Sequence, residues 1–334
     1  MRSRVCNIVF CLSAALLLVG CGSSATDKPR IVESKGLPSE LLLIVDKAVW
    51  QSDLSDTLKA ITQGDVPGLM QHEDYFRVTR IFSQYYVQKY TTMHSQLFVT
   101  LNGKLKKPVL GVSYDVVARP QVQVTVSAPN LDELRRFLSA RARQIRQLIG
   151  DAQLDMRAAQ LRKRYSQLAA QDLRTVLGYT ICAPEDVHAT KKGQRFLWAG
   201  SNQNEKDLNV VVYTYPWDGN EILTPECFVR QRDSVMKANI PGSEPDQWMQ
   251  TTCIDGTPIV SSVIRMIAGR QVQEVHGLWE MRNGALGGPF VSLVSIDSTA
   301  FEVVVAEGFV YSPSTDKREL IRTLEASLRT LKKI

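Results

Sequence analysis

The 334-residue chain carries 40 Lys+Arg against 34 Asp+Glu, a formal charge of +6, and is 44% hydrophobic and 22% charged. These fractions exclude a largely disordered, collagen-like or multiply membrane-spanning chain. At roughly 150 residues per domain, the length suggests two domains.

The first residues read as an address. Arg2 and Arg4 precede an apolar run over residues 8–19. The run is shorter than the ~20 residues of a spanning helix but suits the core of a signal peptide. It ends in Leu18-Val19-Gly20-Cys21 and passes at once into Gly22-Ser23-Ser24. An apolar pair, a small residue and a cysteine ahead of a polar stretch resembles a bacterial lipoprotein signal, in which the cysteine thiol takes a diacylglycerol and the chain is cut before it. A thiol suits that alkylation because it is the most nucleophilic neutral side chain at ordinary pH. Residues 1–20 are therefore expected to leave as a signal peptide, with Cys21 lipidated and residues 21–37 forming a tether. This predicts a cell-envelope location, at the outer membrane or facing the periplasm, with lipid as the membrane attachment.

Beyond the tether the apolar run Leu41 to Val45 predicts a buried strand, and Leu54, Leu58 and Ile61 predict a helix ending at Gly64. Alternation from Phe76 to Ile81 predicts a strand, and Gln96 to Leu101 runs into Asn102-Gly103, a two-residue hairpin signal. Strands follow at Val109 to Val117 and Val122 to Val126. Asn130 with Glu133 forms a capping box ahead of the helical stripe Leu134, Leu138, Ile145 and Ile149. A second stripe, Leu154, Ala158, Leu161, Tyr165 and Leu168, extends the helical region to Gly178.

The second part starts with strands at Phe196 to Ala199 and Leu208 to Tyr213. Thr224-Pro225 then opens a helix running to about Ala238. Strands at Ile259 to Ile267, Val272 to Met281, Phe290 to Ile296 and Phe301 to Tyr311 form a block, with Asn283-Gly284 as a turn. Asp316 and Glu319 cap a last helix bearing Leu320, Leu324, Leu328 and Leu331. Two segments match across the chain: Glu40 to Val45 with Trp50 resembles Asp207 to Val212 with Trp217, and Asn130/Glu133 resembles Asp316/Glu319. The expected fold is α+β, with antiparallel sheets, packed helices and two similar halves (38–177 and 178–334) joined by a long helical segment.

Candidates for chemistry are few. The segment 277–290 places four glycines around one hairpin, which lets the backbone bend or approach a partner closely. Trp279, Gly287, Gly288 and Phe290 are its candidate binding residues; the alternative is a tight hairpin whose aromatics fill the core. The Gly-Gly-Pro-Phe order lacks the Lys-Ser/Thr of a phosphate loop, and neither Gly-x-Ser-x-Gly nor His-Glu-x-x-His occurs. No catalytic residue, metal site or cofactor is therefore expected. A weaker enzyme reading uses His276 with an acidic partner such as Asp233, as a hydrolase would. After processing Cys182, Cys227 and Cys253 remain, enough for one disulfide of undetermined pairing.

Between residues 130 and 175 there are ten Arg/Lys and five acids, among them Arg135, Arg136, Arg157 and Arg164. The sharp reading is a cationic face toward an anionic envelope polymer; the bland one is a solvated helix with local pairs. Nucleic acid is disfavoured by the expected export.

The lipobox, the strand before Trp50, Arg232-Asp233, Gly277-Leu278-Trp279, Gly287-Gly288-Pro289-Phe290 and Gly308 to Pro313 ahead of Lys317-Arg318 form one pattern. It resembles the domain of unknown function 4837 family, lipoproteins typical of Bacteroidetes. The resemblance implies an envelope location and a fold spanning nearly the whole mature chain, and it carries no reaction with it. The expectation is a lipid-anchored, non-enzymatic binding or assembly-support module, meeting the membrane through its lipid and an envelope protein or anionic polymer through its body.

Overall fold

The computed structural model describes residues 31–217, 219 and 223–334. The signal segment and Cys21 lie outside them. From Val32 onward the expected tether is already tied to the body. Val32–Glu33 pairs in parallel with Ala118–Arg119, and Lys35 bridges to Met93. The N–H of Ser34 and that of Lys35 donate to the carbonyls of Arg119 and Thr92, so this backbone is satisfied by the domain rather than by water.

The fold is α+β. In the first domain β1 (Glu40–Val45) has five consecutive buried residues, the mark of a strand covered on both faces. Helix α1 (Leu54–Gln63) buries Leu54, Leu58 and Ile61 and leads to β2 (Arg77–Phe82), parallel to β1. On the other side of β1 lie β3 (Ser95–Leu101), also parallel, and then β5 (Val122–Ala128), parallel to β3. β4 (Val109–Tyr114) closes the edge, antiparallel to β5.

The order β2-β1-β3-β5-β4 corrects two expectations. This sheet is mainly parallel, because a helix-bearing crossover links β1 to β2 and the edge strand β4 intervenes between β3 and β5, so no parallel pair is joined by a hairpin. The Asn102-Gly103 turn joins no hairpin: β3, largely buried, takes a central place between β1 and β5, while the exposed pattern of β4 suits the edge.

Helix α2 (Leu131–Leu161) covers this sheet with Leu134, Leu138, Ile145 and Ile149; the Asn130 side chain accepts from the Glu133 N–H at 3.0 Å. Its last turns leave the first domain, and Leu154 and Ala158 pack on Ala326. Ser166 caps α3 (Gln167–Leu177), which ends at Gly178 with a left-handed φ of 73°.

The second domain is one antiparallel sheet of eight strands. It contains β6 (Ala189–Gly193), β7 (Phe196–Gly200), β8 (Asp207–Pro216), β9 (Met249–Thr251), β10 (Val260–Ile267), β11 (Arg270–Met281), β12 (Gly287–Asp297) and β13 (Glu302–Tyr311). The path runs β9-β11-β12-β13-β8-β7-β6, and β10 shares the β9 side of β11. Helix α4 (Pro225–Asn239), capped by Thr224, covers one face with Phe228 and Met236. Helix α5 (Arg318–Leu328) covers the other with Ile321, Leu324 and Leu328.

The two halves thus differ in topology. β1 sits in a parallel environment and β8 in an antiparallel one, so their shared apolar pattern reflects burial alone. Trp50 ends a short helix, whereas Trp217 follows its strand directly and stacks on Phe301. Asn130 caps its helix, but Asp316 does not; the cap position of α5 is Lys317, with no side-chain bond of its own.

Candidate functional site

The glycine-rich hairpin joins β11 to β12, with Asn283 in the left-handed region at φ 53°. Gly288 lies opposite Trp279 in the ladder, and a Cβ there would collide with the carbonyl oxygen of Val310. A Cβ on Gly287 would come within 2.9 Å of the Trp279 carbonyl oxygen. Both glycines therefore serve close backbone approach. Trp279 is only 3% exposed; its Nε1 donates to the Val310 carbonyl at 3.2 Å, and its ring meets Phe309 edge to face at 5.4 Å. Phe290 is wholly buried, with the Arg232 guanidinium 4.1 Å from its ring centre. The aromatics fill the core, as the bland reading had it.

The hairpin nevertheless borders a groove of about 570 Å³. Trp279, Gly287 and Gly288 line it; Phe290 does not. The residues that give it an apolar exposed surface were not foreseen: Leu286, 43% exposed, on the hairpin, and Met70, 85% exposed, from the first domain. Only the apolar Leu69-Met70 pair after Gly68 hints at this, and nothing local brings it to a hairpin so distant in the chain.

The banks of the groove are held by the seam between the domains. Glu73 accepts from the N–H of Lys317 at 2.7 Å and of Arg318 at 2.9 Å, so a carboxylate of the first domain caps α5 of the second. Arg318 donates to the Asp74 carbonyl at 2.7 Å, and Arg157 of α2 pairs with Glu319. Arg322 lies 4.7 Å over the Tyr75 ring.

His276 belongs to this seam. Its Nε2 is 3.2 Å from Glu274 Oε1, and ligand-type atoms of Glu274, His276 and Glu325 all lie within 4.8 Å of one another. Arg265 bonds Glu274 at 3.0 Å and also Asp151 of α2; Arg329 bonds Asp151 at 2.8 Å and Glu325 at 3.3 Å. Two arginines and the imidazole face three carboxylates, so most of the negative charge is already compensated and a metal would have to displace guanidinium groups. Burial by itself would lower the His276 pKa, but the Glu274 hydrogen bond and the charges of Glu325 and Glu274 more than offset it, and the net direction is upward. Burial likewise opposes ionisation of Glu274, yet His276, Arg265 and Arg329 hold it well below the usual carboxylate range.

Asp233 is elsewhere. It lies on the α4 face, accepting from the Thr251 N–H at 2.8 Å and from Thr251 Oγ1 at 2.7 Å, beside Arg232, which is bidentate on Glu307. Residues 274 and 276 share the opposite face with α5, since side chains alternate along β11. The acid beside His276 is Glu274, and no hydroxyl or thiol hydrogen-bonds its ring among the described residues. Cys182, Cys227 and Cys253 are not joined by a disulfide.

Four of the ten basic residues of the run are ion-paired: Arg135 with Asp53 and Asp132, Arg136 with Glu133, Arg164 with Glu185, and Arg157 across the seam; Arg146 instead donates to the carbonyls of Ala60 and Ile61.

Fold and site together define a two-domain α+β protein with a tightly ion-paired seam and an open groove beside it. Residues 166–330 match the family described as domain of unknown function DUF4837, and residues 34–162 match a second, DUF8532. The second domain thus matches the DUF4837 family, and the first domain matches a family of its own. No curated protein matches. Among solved structures the chain is similar to a point mutant of the protein Mog1, at 9% identity and a TM-score of 0.28, over 47% of this chain and 90% of that one.

Proposed function

We propose that the protein is a cell-envelope lipoprotein, anchored through Cys21, that works without catalysis as a binding module. Its groove beneath the 283–289 turn receives an apolar segment of an envelope protein. The observation that carries the reading is the pair Met70 and Leu286, exposed apolar side chains on the groove that different domains supply. Exposed apolar surface beside a polar rim marks interaction sites, and methionine adapts its shape to a partner. Lys317, Gln71 and Glu280 supply that rim.

Trp279→Ala would test folding rather than binding, because the ring is core. The better probes are photo-crosslinking residues at positions 70 and 286 of the membrane-bound protein, with exposed Tyr114 as the control position. Positions 70 and 286 are expected to capture one common partner that position 114 misses, and Leu286→Glu is expected to abolish capture from position 70. Equal capture from all three positions sinks the reading. The anchor is tested separately: palmitate labelling should mark the protein and vanish in Cys21→Ser, which should leave the membrane fraction.

A further inference from the structure

The second sheet does not stay joined to its end. β11 and β12 pair from Glu280 opposite Gly287 as far as Gln273 opposite Val294, and no further. Beyond that point each strand keeps only its outer neighbour. β11 runs on with β10 to Arg270 opposite Ile267, and β12 runs on with β13 to Asp297 opposite Glu302. Two hairpins thus diverge, one of them closed by a tight turn with Ala268 and Gly269 at φ 50° and 76°.

A cavity of about 750 Å³ lies in the split. That is within the ~300–1,000 Å³ of small-ligand sites. Much of its wall is hydrocarbon, with Ile264 from one hairpin, Ile296 and Val304 from the other, and Leu331 after α5, while Gln271, Ser295 and Ser298 add polar groups. Ile264 is 50% exposed, and Met266 two residues on along β10 is 67% exposed.

The charges at the rim do not cancel. Asp297 is matched by Lys333 at 2.6 Å and accepts from the Tyr179 hydroxyl at 3.0 Å, whose proton is held by burial and by the carboxylate itself. Arg270 also lines the cavity, with no carboxylate within 4.0 Å of it among the described residues. One uncompensated guanidinium at the mouth of an apolar cleft selects a single negative charge on a hydrocarbon body. A guanidinium also matches a carboxylate's two oxygens geometrically.

We propose that this split binds a single-chain amphiphile with a monoanionic head, of the fatty-acid type, its tail between the two hairpins and its carboxylate on Arg270. The test uses the full-length protein in membranes and a palmitate analogue carrying a diazirine on the chain and an alkyne at its end. Labelling is expected on the peptides containing Ile264 and Ile296, displaced by excess palmitate. It should fall about tenfold or more in Arg270→Glu, the scale of losing a charge-assisted bond, and survive in Arg270→Lys. Arg270 is exposed at a turn, and an unchanged melting profile establishes that the variant folds.

The uncharged alcohol analogue should label weakly and ignore the Arg270 variants. Equal labelling by acid and alcohol, labelling elsewhere in the chain, or indifference to Arg270→Glu would each overturn the proposal. So would displacement by phosphatidylglycerol vesicles but not by monomeric palmitate, which would make the face a bilayer contact.

Discussion

The two faces of the second sheet each bury an ion network, and the two are built to different ends. On the α4 face Arg232 and Glu307 are wholly buried and belong to one domain. Every polar side-chain atom of that pair is used: the guanidinium also meets Thr251 and Asp233, and Glu307 accepts from Ser292 at 2.8 Å. On the α5 face the network draws Asp151 from the first domain, and it leaves Nδ1 of His276 and Nε of Arg329 buried without a partner among the described residues. A closed network fixes one helix to one sheet. An incompletely satisfied one that spans two domains makes their contact responsive to charge. Buried charge by itself does not distinguish these roles; completeness and the origin of the partners do.

Breaking the closed pair should have the largest effect. Glu307→Gln removes the bidentate carboxylate of the buried Arg232 and leaves its charge only the single 3.3 Å contact to Asp233, which should cost about 3–5 kcal/mol in chemical denaturation. The double replacement Arg232→Met with Glu307→Leu should recover most of that loss, since desolvation offsets much of what a buried pair gains. If the double variant is as unstable as the single one, the pair contributes more than charge balance and the closed-network reading is wrong.

The seam should respond less. Asp151 is 35% exposed, so Asp151→Asn, which weakens its bonds to Arg265 and Arg329, should cost about 1–2 kcal/mol after allowance for solvent screening. The difference from Glu307→Gln should show in character as well as size: Asp151→Asn should raise hydrogen exchange along the seam while the α4 face keeps its protection.

Smaller again is the cap across the seam. Glu73→Ala removes the acceptor for two N–H groups of α5 and should cost about 1 kcal/mol, with faster exchange confined to the first turn of that helix. An unchanged exchange rate at Lys317 and Arg318 would mean the carboxylate is not their working acceptor.

Local signals read well from the sequence. The apolar run 41–45, the Asn130 and Thr224 caps, and the strand block after residue 259 all stand where their patterns put them. What failed was pairing. Asn102-Gly103 signals a turn truthfully but not which strand lies beside β3, because that choice depends on how much of each strand is buried from both sides. Asp316 has the right spacing for a cap, yet a carboxylate from residue 73 takes the position, a long-range contact invisible in any local window. The site shows the same division. The glycines at 287 and 288 were legible as close-approach positions, whereas Met70, Arg270 and the split between β11 and β12 exist only once distant segments meet.

The finest discrimination between the two networks is by pH, because only the seam contains a histidine. His276 is raised above its ordinary value of 6.5, so it binds its proton more tightly in the folded protein. Its contribution to stability is then complete below about pH 6.5 and fades as pH rises through the folded value. Glu274 runs the other way: held below its ordinary 4.5, it contributes fully above about pH 4.5 and loses that contribution as pH falls through its folded value. The pair is therefore strongest between these limits, where both partners are charged. Denaturation curves for the wild type and His276→Gln, taken from pH 5 to 9, should show a stability difference that shrinks with rising pH. The deficit of Glu307→Gln, in a network without an imidazole, should show no such imidazole step. A His276→Gln deficit that stays constant or grows with pH would mean the imidazole is neutral in the fold, and the seam would then be as fixed as the face opposite.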